Sequence, residues 1–323
     1  MRDALIALGM GGPSREDDIE PFLANLFADK ELINFHIGAF LQKKLAPLIA
    51  KRRLKRVKPR YRLMGGGSPQ FKLTQELLIK LKEIYESNVG RTVDCFIGMC
   101  YSPPYITDAV KEIALSKGQY RRIYLLPLYP HYCAATTGVA FNRFYKAAEA
   151  LPTEYSDKIV KIDHYYSHPA FIEAAAKRIE AAAAVLGKQM KDIHLLFSAH
   201  SIPMSLAESG DPYLEQVVQS VQFICDRLKP CGAATAFQSR TGFAKWLKPT
   251  SHEAVAQLAA EGVKDVVVYP ISFINDHIET LYDIDVDLNQ YAKKAGLNMA
   301  RAEVFNASED FAEVLADVLQ RTQ

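Results

Sequence analysis

A buried β-strand followed directly by a stripe of carboxylates constrains this chain more than any other feature. Residues Val266 to Tyr269 form an apolar, β-branched run, which is typical of a strand buried on both faces. Pro270 ends the run, and Asn275-Asp276 then gives a helix-cap signal. The acids that follow at steps of three, four and four are predicted to line one face of a helix: Asp276, Glu279, Asp283 and Asp287.

Two interpretations of this acidic stripe are open. Like charges stacked on a helix repel by a few tenths of a kcal/mol per pair, so the stripe is either a solvated face or a place that holds cations or protons. His277 lies beside Asp276, and the stripe comes straight after a buried strand. Because open α/β sheets place their ligand sites at the carboxyl ends of strands, this position favours the second interpretation.

Length and composition narrow the class of protein. A chain of 323 residues suits two domains of about 150 residues each. The net charge of +2 gives no reason to expect a nucleic-acid partner. The first residues are typical of a strand and not of a signal peptide, and no apolar run is long enough to span a membrane. Five cysteines, an odd number, indicate free thiols in a reducing cytoplasm.

Strand and helix patterns alternate along the chain, which predicts parallel sheets with right-handed crossovers. The pattern of strand ends in the first half recurs in the second. We therefore expect an α/β fold of two similar Rossmann-like doubly wound domains, residues 1–155 and 156–305, with a cleft between them. The final segment, 306–323, is predicted to be an amphipathic helix that packs back across the two halves.

A basic segment lies in the first half. Between Lys43 and Arg62 there are ten basic residues and no acidic one, interleaved with apolar residues. The segment is either a solvated helix surface or a surface that attracts anionic lipid headgroups or the carboxylates of a substrate. Four residues just before it could supply an apolar lip: Phe35, Ile37, Phe40 and Leu41.

His200 is the histidine most suited to chemistry. It ends the apolar strand that contains Leu195 to Phe197, where a histidine is either a hydrogen-bonded structural residue or a base or ligand. Its strand end would converge with that of Glu279, either across a cleft between two similar halves or on neighbouring strands of one half. One imidazole with several carboxylates suits a divalent metal or the removal of protons from a weak acid. Ser198 and Ser201 flank it without a nucleophile elbow, so a catalytic triad is disfavoured.

Several motifs, in order and over nearly the whole chain, resemble those of the ferrochelatases. The strongest are Leu196 to Pro203 with Gly210 to Tyr213, and Asn275 to Tyr282. The others are Gly11-Gly12-Pro13, Gly65 to Pro69, Tyr129 to Tyr132, and Gln238-Ser239-Arg240 followed by Trp246-Leu247.

The resemblance implies a lyase that inserts Fe²⁺ into a porphyrin and releases two protons, with ferrous iron as the substrate metal and no organic cofactor. By matching positions, His200 and Glu279 are the catalytic pair, and Asp283 and Asp287 join them as metal ligands. Because pyrrole N–H groups are poor acids, a basic group beside them lowers the barrier. We expect His200 to accept the protons and Glu279 to relay protons or deliver iron, although the two roles could be exchanged. The porphyrin-binding positions implied are Met10, Tyr61, Ser68, Tyr129, Arg240 and Trp246.

Two positions depart from the family pattern. Cys100 stands where the family commonly has arginine, so one cation expected near the cleft is missing. Cys133 stands where some members hold a cluster ligand, but the three cysteines that complete that cluster near the carboxyl end are absent. We expect no iron–sulfur cluster of that arrangement. Cys225 and Cys231 give only weak support for a cluster of another arrangement.

The substrate and the surroundings stay partly open at this point. Protoporphyrin IX is the favoured substrate, with coproporphyrin III as the alternative. The rivals are a chelatase that inserts cobalt or nickel into another tetrapyrrole, and a porphyrin carrier without catalysis. We expect a monomer or homodimer in the cytoplasm, or peripheral to the inner face of the membrane, with no nucleic-acid partner.

Overall fold

The computed structural model describes residues 1–33, 35, 37–116, 120–239 and 244–322. It divides into two compact units. Unit 1 comprises Met1–His164 and Asn306–Gln323, and unit 2 comprises Tyr165–Phe305. Each unit contains a four-stranded parallel sheet, which confirms the predicted pair of parallel α/β halves.

Unit 1 is built on a sheet in the order β2-β1-β3-β4. Its strands are β1 (Arg2–Gly9), β2 (Val93–Met99), β3 (Tyr120–Pro127) and β4 (Ile159–Lys161). Its helices are α1 (Ile19–Ala28), α2 (Ala39–Leu63), α3 (Gln70–Val89), α4 (Ile106–Leu115), α5 (Val139–Ala148) and, from the end of the chain, α12 (Glu309–Arg321).

The central strand β1 explains why the first apolar run lacks alternation. Residues Ala4 to Leu8 are each fully buried, because helices cover both faces of a parallel sheet. The one charged residue in the strand, Asp3, is also fully buried. Its carboxylate accepts hydrogen bonds from Tyr85 (2.9 Å), Arg91 (3.4 Å) and Arg121 (3.1 Å), so its charge is compensated at the amino end of the strand.

In two helices of unit 1, the spacing of small or apolar residues determines which face of the helix is buried. The long helix α2 buries Gln42, Ala46 and Ala50 at a spacing of four, which allows it to pack closely against α1. Helix α12 buries Phe311, Leu315 and Leu319 at the same spacing and packs against α3. This final helix belongs to unit 1.

Unit 2 repeats the topology with the order β6-β5-β7-β8. Its strands are β5 (His194–His200), β6 (Gly232–Gln238), β7 (Asp265–Tyr269) and β8 (Asn298–Arg301). Its helices are α6 (Pro169–Val185), α7 (Met204–Glu208), α8 (Tyr213–Leu228), α9 (Ser251–Ala260), α10 (Ile278–Leu281) and α11 (Asn289–Lys294).

Counted within each unit, both sheets have the strand order 2-1-3-4. In such a sheet the connections from the two central strands leave in opposite directions, and the crevice between them is the usual ligand site. That position lies between β1 and β3 in unit 1, and between β5 and β7 in unit 2. Residues that follow these four strands are therefore the first candidates for function.

The acidic stripe does not lie on one regular helix, so that prediction was wrong. Helix α10 is a single turn that starts at Ile278, with His277 as its N-cap, and Asp276 precedes it. A π-helical segment, Asp283–Leu288, follows. Since a π-turn contains more residues than an α-turn, the acids at steps of four do not keep one α-helical face. The periodicity of the sequence carries no signal for this change.

Candidate active site

His200 is the last residue of β5, and hydrogen bonds to its backbone and ring hold it in place. Its N–H donates to Ser272 Oγ at 3.0 Å, and its carbonyl accepts from the Tyr213 hydroxyl at 2.9 Å. Its ring Nδ1 lies 2.6 Å from the carbonyl oxygen of Ser201. Because a carbonyl can only accept, Nδ1 carries a hydrogen and Nε2 is left for chemistry.

Glu279 is brought to His200 from the loop after β7. Its Oε1 lies 3.3 Å from His200 Nε2, and its Oε2 lies 3.1 Å from His277 Nε2. His277 Nδ1 lies 2.8 Å from the carbonyl of Asn275, so its hydrogen is also on Nδ1. One carboxylate is thus placed between two imidazoles at the switch point of unit 2.

The electrostatics of this pair favour the charged forms. Burial alone would lower the pKa of His200, but the Glu279 carboxylate and the Ser201 carbonyl raise the pKa above its ordinary value. Burial would likewise raise the pKa of Glu279, but His200 and then His277 lower the pKa well below its ordinary value. The carboxylate is therefore ionised at neutral pH, and His200 is a stronger base than a free histidine.

Several neighbours that the sequence analysis did not assign complete the site. Gln238, at the end of β6, donates from Nε2 to the Glu279 carbonyl at 3.0 Å and accepts from Ser198 at 2.7 Å. The ring of Phe273 stands edge-on to the rings of His200 and His277. Gln238 and Tyr213 belong to motifs that the sequence analysis named. Their hydrogen-bond partners could not be predicted, because those partners depend on which strands are neighbours in the sheet.

The remaining acids of the stripe have separate partners. Asp276 is paired with Arg301 at 3.1 Å, and Asp283 accepts from Ser239 at 3.5 Å. Asp287 lies 3.1 Å from His252 Nε2, on the exposed side of the stripe. Across the described ranges, no three His, Cys, Asp or Glu side chains are grouped as ligands of one metal ion. Of the four predicted metal ligands, the structure joins only His200 and Glu279 in direct contact within those ranges.

The predicted porphyrin-binding positions lie in both units. Met10 and Tyr129 follow β1 and β3, which are paired at Leu8 and Pro127, so these two half-buried residues share the switch point of unit 1. Tyr61 is buried in α2, and Ser68 is buried where its side chain meets Gly12. In unit 2, Trp246 is half-buried and its backbone bridges to Pro203. Arg240 lies outside the described residues.

Unit 1 also contains a cavity of about 680 Å³, between the loops that follow β1 and β2. Aromatic and proline side chains dominate its wall, including Phe22, Phe71 and Pro103, with Arg15 and Asp18 at its edge. None of the four unit 1 residues predicted to bind porphyrin lines it.

A guanidinium lies beside Cys100 although position 100 itself is not cationic. Arg143, from α5, donates to the Cys100 carbonyl, pairs with Asp29 at 2.6 Å, and stacks 4.5 Å above the Tyr101 ring. Burial raises the pKa of the Cys100 thiol to about 12, so this side chain is a neutral thiol. The guanidinium at the end of β2 therefore comes from another element of the fold, and Asp29 compensates its charge.

Solved structures share this fold of two α/β units. SirB from Bacillus subtilis, solved with Fe³⁺, matches with a TM-score of 0.59 at 12% identity, over 100% of this chain and 96% of that chain. A Deinococcus radiodurans protein with structural similarity to chelatases matches with a TM-score of 0.55 at 12% identity, over 100% of this chain and 55% of that chain. At these identities the likeness establishes the fold alone.

The sequence establishes the family. The Ferrochelatase family model matches residues 2–323. A ferrochelatase of Aquifex aeolicus is 38% identical over 321 residues, which cover 99% of each protein. The chain therefore belongs to the ferrochelatase family.

Proposed function

We propose that His200 and Glu279 remove the two pyrrole protons when this protein inserts ferrous iron into a porphyrin, the lyase reaction of heme synthesis. The observation that carries the proposal is the position of Glu279 between the Nε2 atoms of His200 and His277, at 3.3 and 3.1 Å.

The number of protons supports this assignment. Both imidazoles donate a hydrogen bond from Nδ1–H to a backbone carbonyl, so each presents its Nε2 to an oxygen of Glu279. A lone pair on nitrogen and a carboxylate oxygen attract one another only when a proton lies between them. The two contacts can therefore hold two protons, the number that a porphyrin releases when a divalent metal takes the place of its pyrrole hydrogens.

The direction of transfer follows from the surroundings. His200 is the more exposed imidazole, with 39% of its side chain accessible against 17% for His277. We assign His200, in its neutral form, as the first acceptor and Glu279 as the group that passes each proton on to His277, from where it leaves to water before the next transfer. We assign Asp283 and Asp287 as carboxylates that guide Fe²⁺ toward this pair. Carboxylate oxygens are hard ligands, so they attract Fe²⁺ but bind it less tightly than a site of several histidines.

We further propose protoporphyrin IX as the substrate, bound by Met10, Tyr61, Ser68 and Tyr129 of unit 1 and by Arg240 and Trp246 of unit 2. Met10 and Tyr129 offer a thioether and a phenol at one sheet edge, a pair suited to the face and rim of a flat macrocycle. No organic cofactor and no iron–sulfur cluster is part of this proposal.

An anaerobic assay with Fe²⁺, offering protoporphyrin IX and coproporphyrin III separately, tests both parts. His200→Ala and Glu279→Gln should lose about 100-fold or more in turnover while folding normally. His194→Ala, at the amino end of the same strand, and Glu261→Gln, at the end of α9, are the matched controls. A faster reaction with coproporphyrin III would replace the proposed substrate. Full activity of the His200 variant would refute the mechanism, and tight porphyrin binding without turnover by the wild type would favour a carrier.

We also propose that helix α2 touches an anionic membrane surface. Phe40 and Leu48 are 74% and 67% exposed, and Lys44 lies 4.5 Å above the Phe40 ring among a series of basic residues. An apolar edge flanked by cations suits anionic headgroups. In the described part of the chain, no helix has the length and apolar content to cross a membrane.

Vesicle flotation tests this contact. The wild type should float with vesicles of phosphatidylglycerol at low salt, and the double variant Phe40→Ser with Leu48→Ser should not. Leu115→Ser, which changes a residue of α4 that is 79% exposed, is the control. Equal flotation of the double variant and the control would contradict the proposal.

A further inference from the structure

Arg301 ends β8 and reaches the segment that carries Glu279. Strand β8 is the edge of the unit 2 sheet and pairs with β7, with Arg301 opposite Val268. The side chain of Arg301 is only 11% exposed. A buried guanidinium is costly unless anionic partners surround it, so its contacts indicate what it is for.

Two acids that bracket Glu279 are those partners. Arg301 Nε donates to Asp285 Oδ1 at 2.7 Å, and Nη1 lies 3.1 Å from Asp276 Oδ1. Asp276 precedes α10, and Asp285 lies in the π-helical segment after it. One planar cation therefore holds both ends of the short segment on which Glu279 is placed.

From Asp276, which forms an ion pair with Arg301, hydrogen bonds continue into the first turn of α10. The Thr280 hydroxyl donates to Asp276 Oδ1 at 2.8 Å and accepts from the His277 N–H at 3.0 Å. Thr280 is fully buried, so this link is shielded from solvent. It fixes the first turn of α10, and with it the position of the Glu279 carboxylate between two rings.

We infer that Arg301 is a positioning residue for the metal-insertion reaction, which holds the Glu279 carboxylate in contact with His200 and His277. The inference rests on the proposed function of that pair. It also separates the acids of the stripe into two groups. Asp276 and Asp285 form ion pairs with Arg301, whereas Asp283 accepts a hydrogen bond from Ser239 and Asp287 lies beside His252.

Lysine can replace arginine only in part here, because an ammonium keeps the charge but lacks the planar guanidinium that contacts two carboxylates at once. Arg301→Gln should lower kcat by about 10- to 100-fold with KM for porphyrin within about twofold, since outer partners of this kind affect orientation and not binding. Arg301→Lys should recover part of that loss. Arg227→Gln, which removes exposed ion pairs with Glu173 and Glu180, is the matched control.

Amide hydrogen exchange gives a readout that does not need turnover. In Arg301→Gln, exchange over residues 276–285 should accelerate while β5 stays protected. If Arg301→Gln does not fold, Asp285→Asn removes one of the two ion pairs of Arg301 at a residue whose side chain is 35% exposed. This variant should also lower kcat, by a smaller factor.

Unchanged kcat in folded Arg301→Gln, or in Asp285→Asn, would overturn the inference. So would a rise in KM with kcat preserved, because that pattern indicates a binding residue. If the wild type fails to insert iron into either porphyrin, the proposed function fails, while the exchange of residues 276–285 still decides whether Arg301 holds this segment.

Discussion

Glu279 Oε1 lies 3.3 Å from Nε2 of His200, although the two residues follow different strands of the unit 2 sheet. Strands β5 and β7 are hydrogen-bonded neighbours whose carboxyl ends share one edge, and the pair forms where the connections diverge. The contact is therefore a product of topology. It gives each group a pKa shifted in the direction that favours charge.

The first prediction concerns the pKa of His200. Since Glu279 is the group that raises it, Glu279→Gln should lower this pKa toward or below the ordinary value, because burial then acts without the opposing carboxylate. NMR titration of the ring carbon of labelled histidine measures the change. His194, at the amino end of the same strand, is the internal control, and its pKa should stay the same in the variant. A His200 pKa that is the same in wild type and variant would contradict the prediction.

The second prediction is the pH window of stability. Glu279, with a lowered pKa, contributes above the ordinary glutamate value of 4.5 and loses its contribution as pH falls through its folded pKa. His200, with a raised pKa, contributes fully below 6.5 and loses its contribution as pH rises through its folded pKa. The unfolding free energy of the wild type minus that of His200→Gln should thus be largest between these two values. A difference that grows steadily toward alkaline pH would have the wrong sign.

The sequence predicted the parts of this fold that local pattern determines. Buried runs such as Val266 to Tyr269 identify parallel strands, and the strand-end position of His200 and Glu279 predicts their convergence once the strands are neighbours. Strand β8 was missed because the segment Asn298–Arg301 has neither an apolar run nor alternation. Asp276 was placed in a helical stripe because a charge pattern does not reveal that Arg301, from another strand, neutralises it.

The third prediction concerns the buried carboxylate of unit 1. Asp3→Asn should lower the free energy of unfolding by about 2 kcal/mol, since Arg91 and Arg121 would lose their anionic partner in a largely buried place. Glu76→Gln, which removes an exposed i,i+4 pair with Lys72, should change it by less than about 0.5 kcal/mol. Chemical denaturation measures both. Iron insertion should be unaffected, because Asp3 lies at the amino end of β1 and the proposed site residues follow the carboxyl ends of strands.

The fourth prediction concerns the thiols. Burial raises the pKa of Cys95 and of Cys100 to about 12, so neither forms a thiolate near neutral pH. Cys231 is exposed, and it should react first with a charged alkylating reagent in the native protein. Peptide mass spectrometry against time gives the order, and all five cysteines should react after denaturation. Early labelling of Cys100 would show that the segment around Arg143 opens readily.

The last prediction tests the second imidazole. His277→Gln keeps a polar side chain but cannot take up a proton, so Glu279 would keep one imidazole partner instead of two. Turnover with Fe²⁺ should fall by about 10- to 100-fold, and less than in His200→Ala, because the first acceptor remains while the relay is lost. Porphyrin affinity, followed by fluorescence quenching without metal, should stay within about twofold. If proton transfer limits the variant, turnover in D₂O should slow more for His277→Gln than for the wild type. An equal solvent isotope effect in the two proteins would show that His277 does not transfer protons and only stabilises α10.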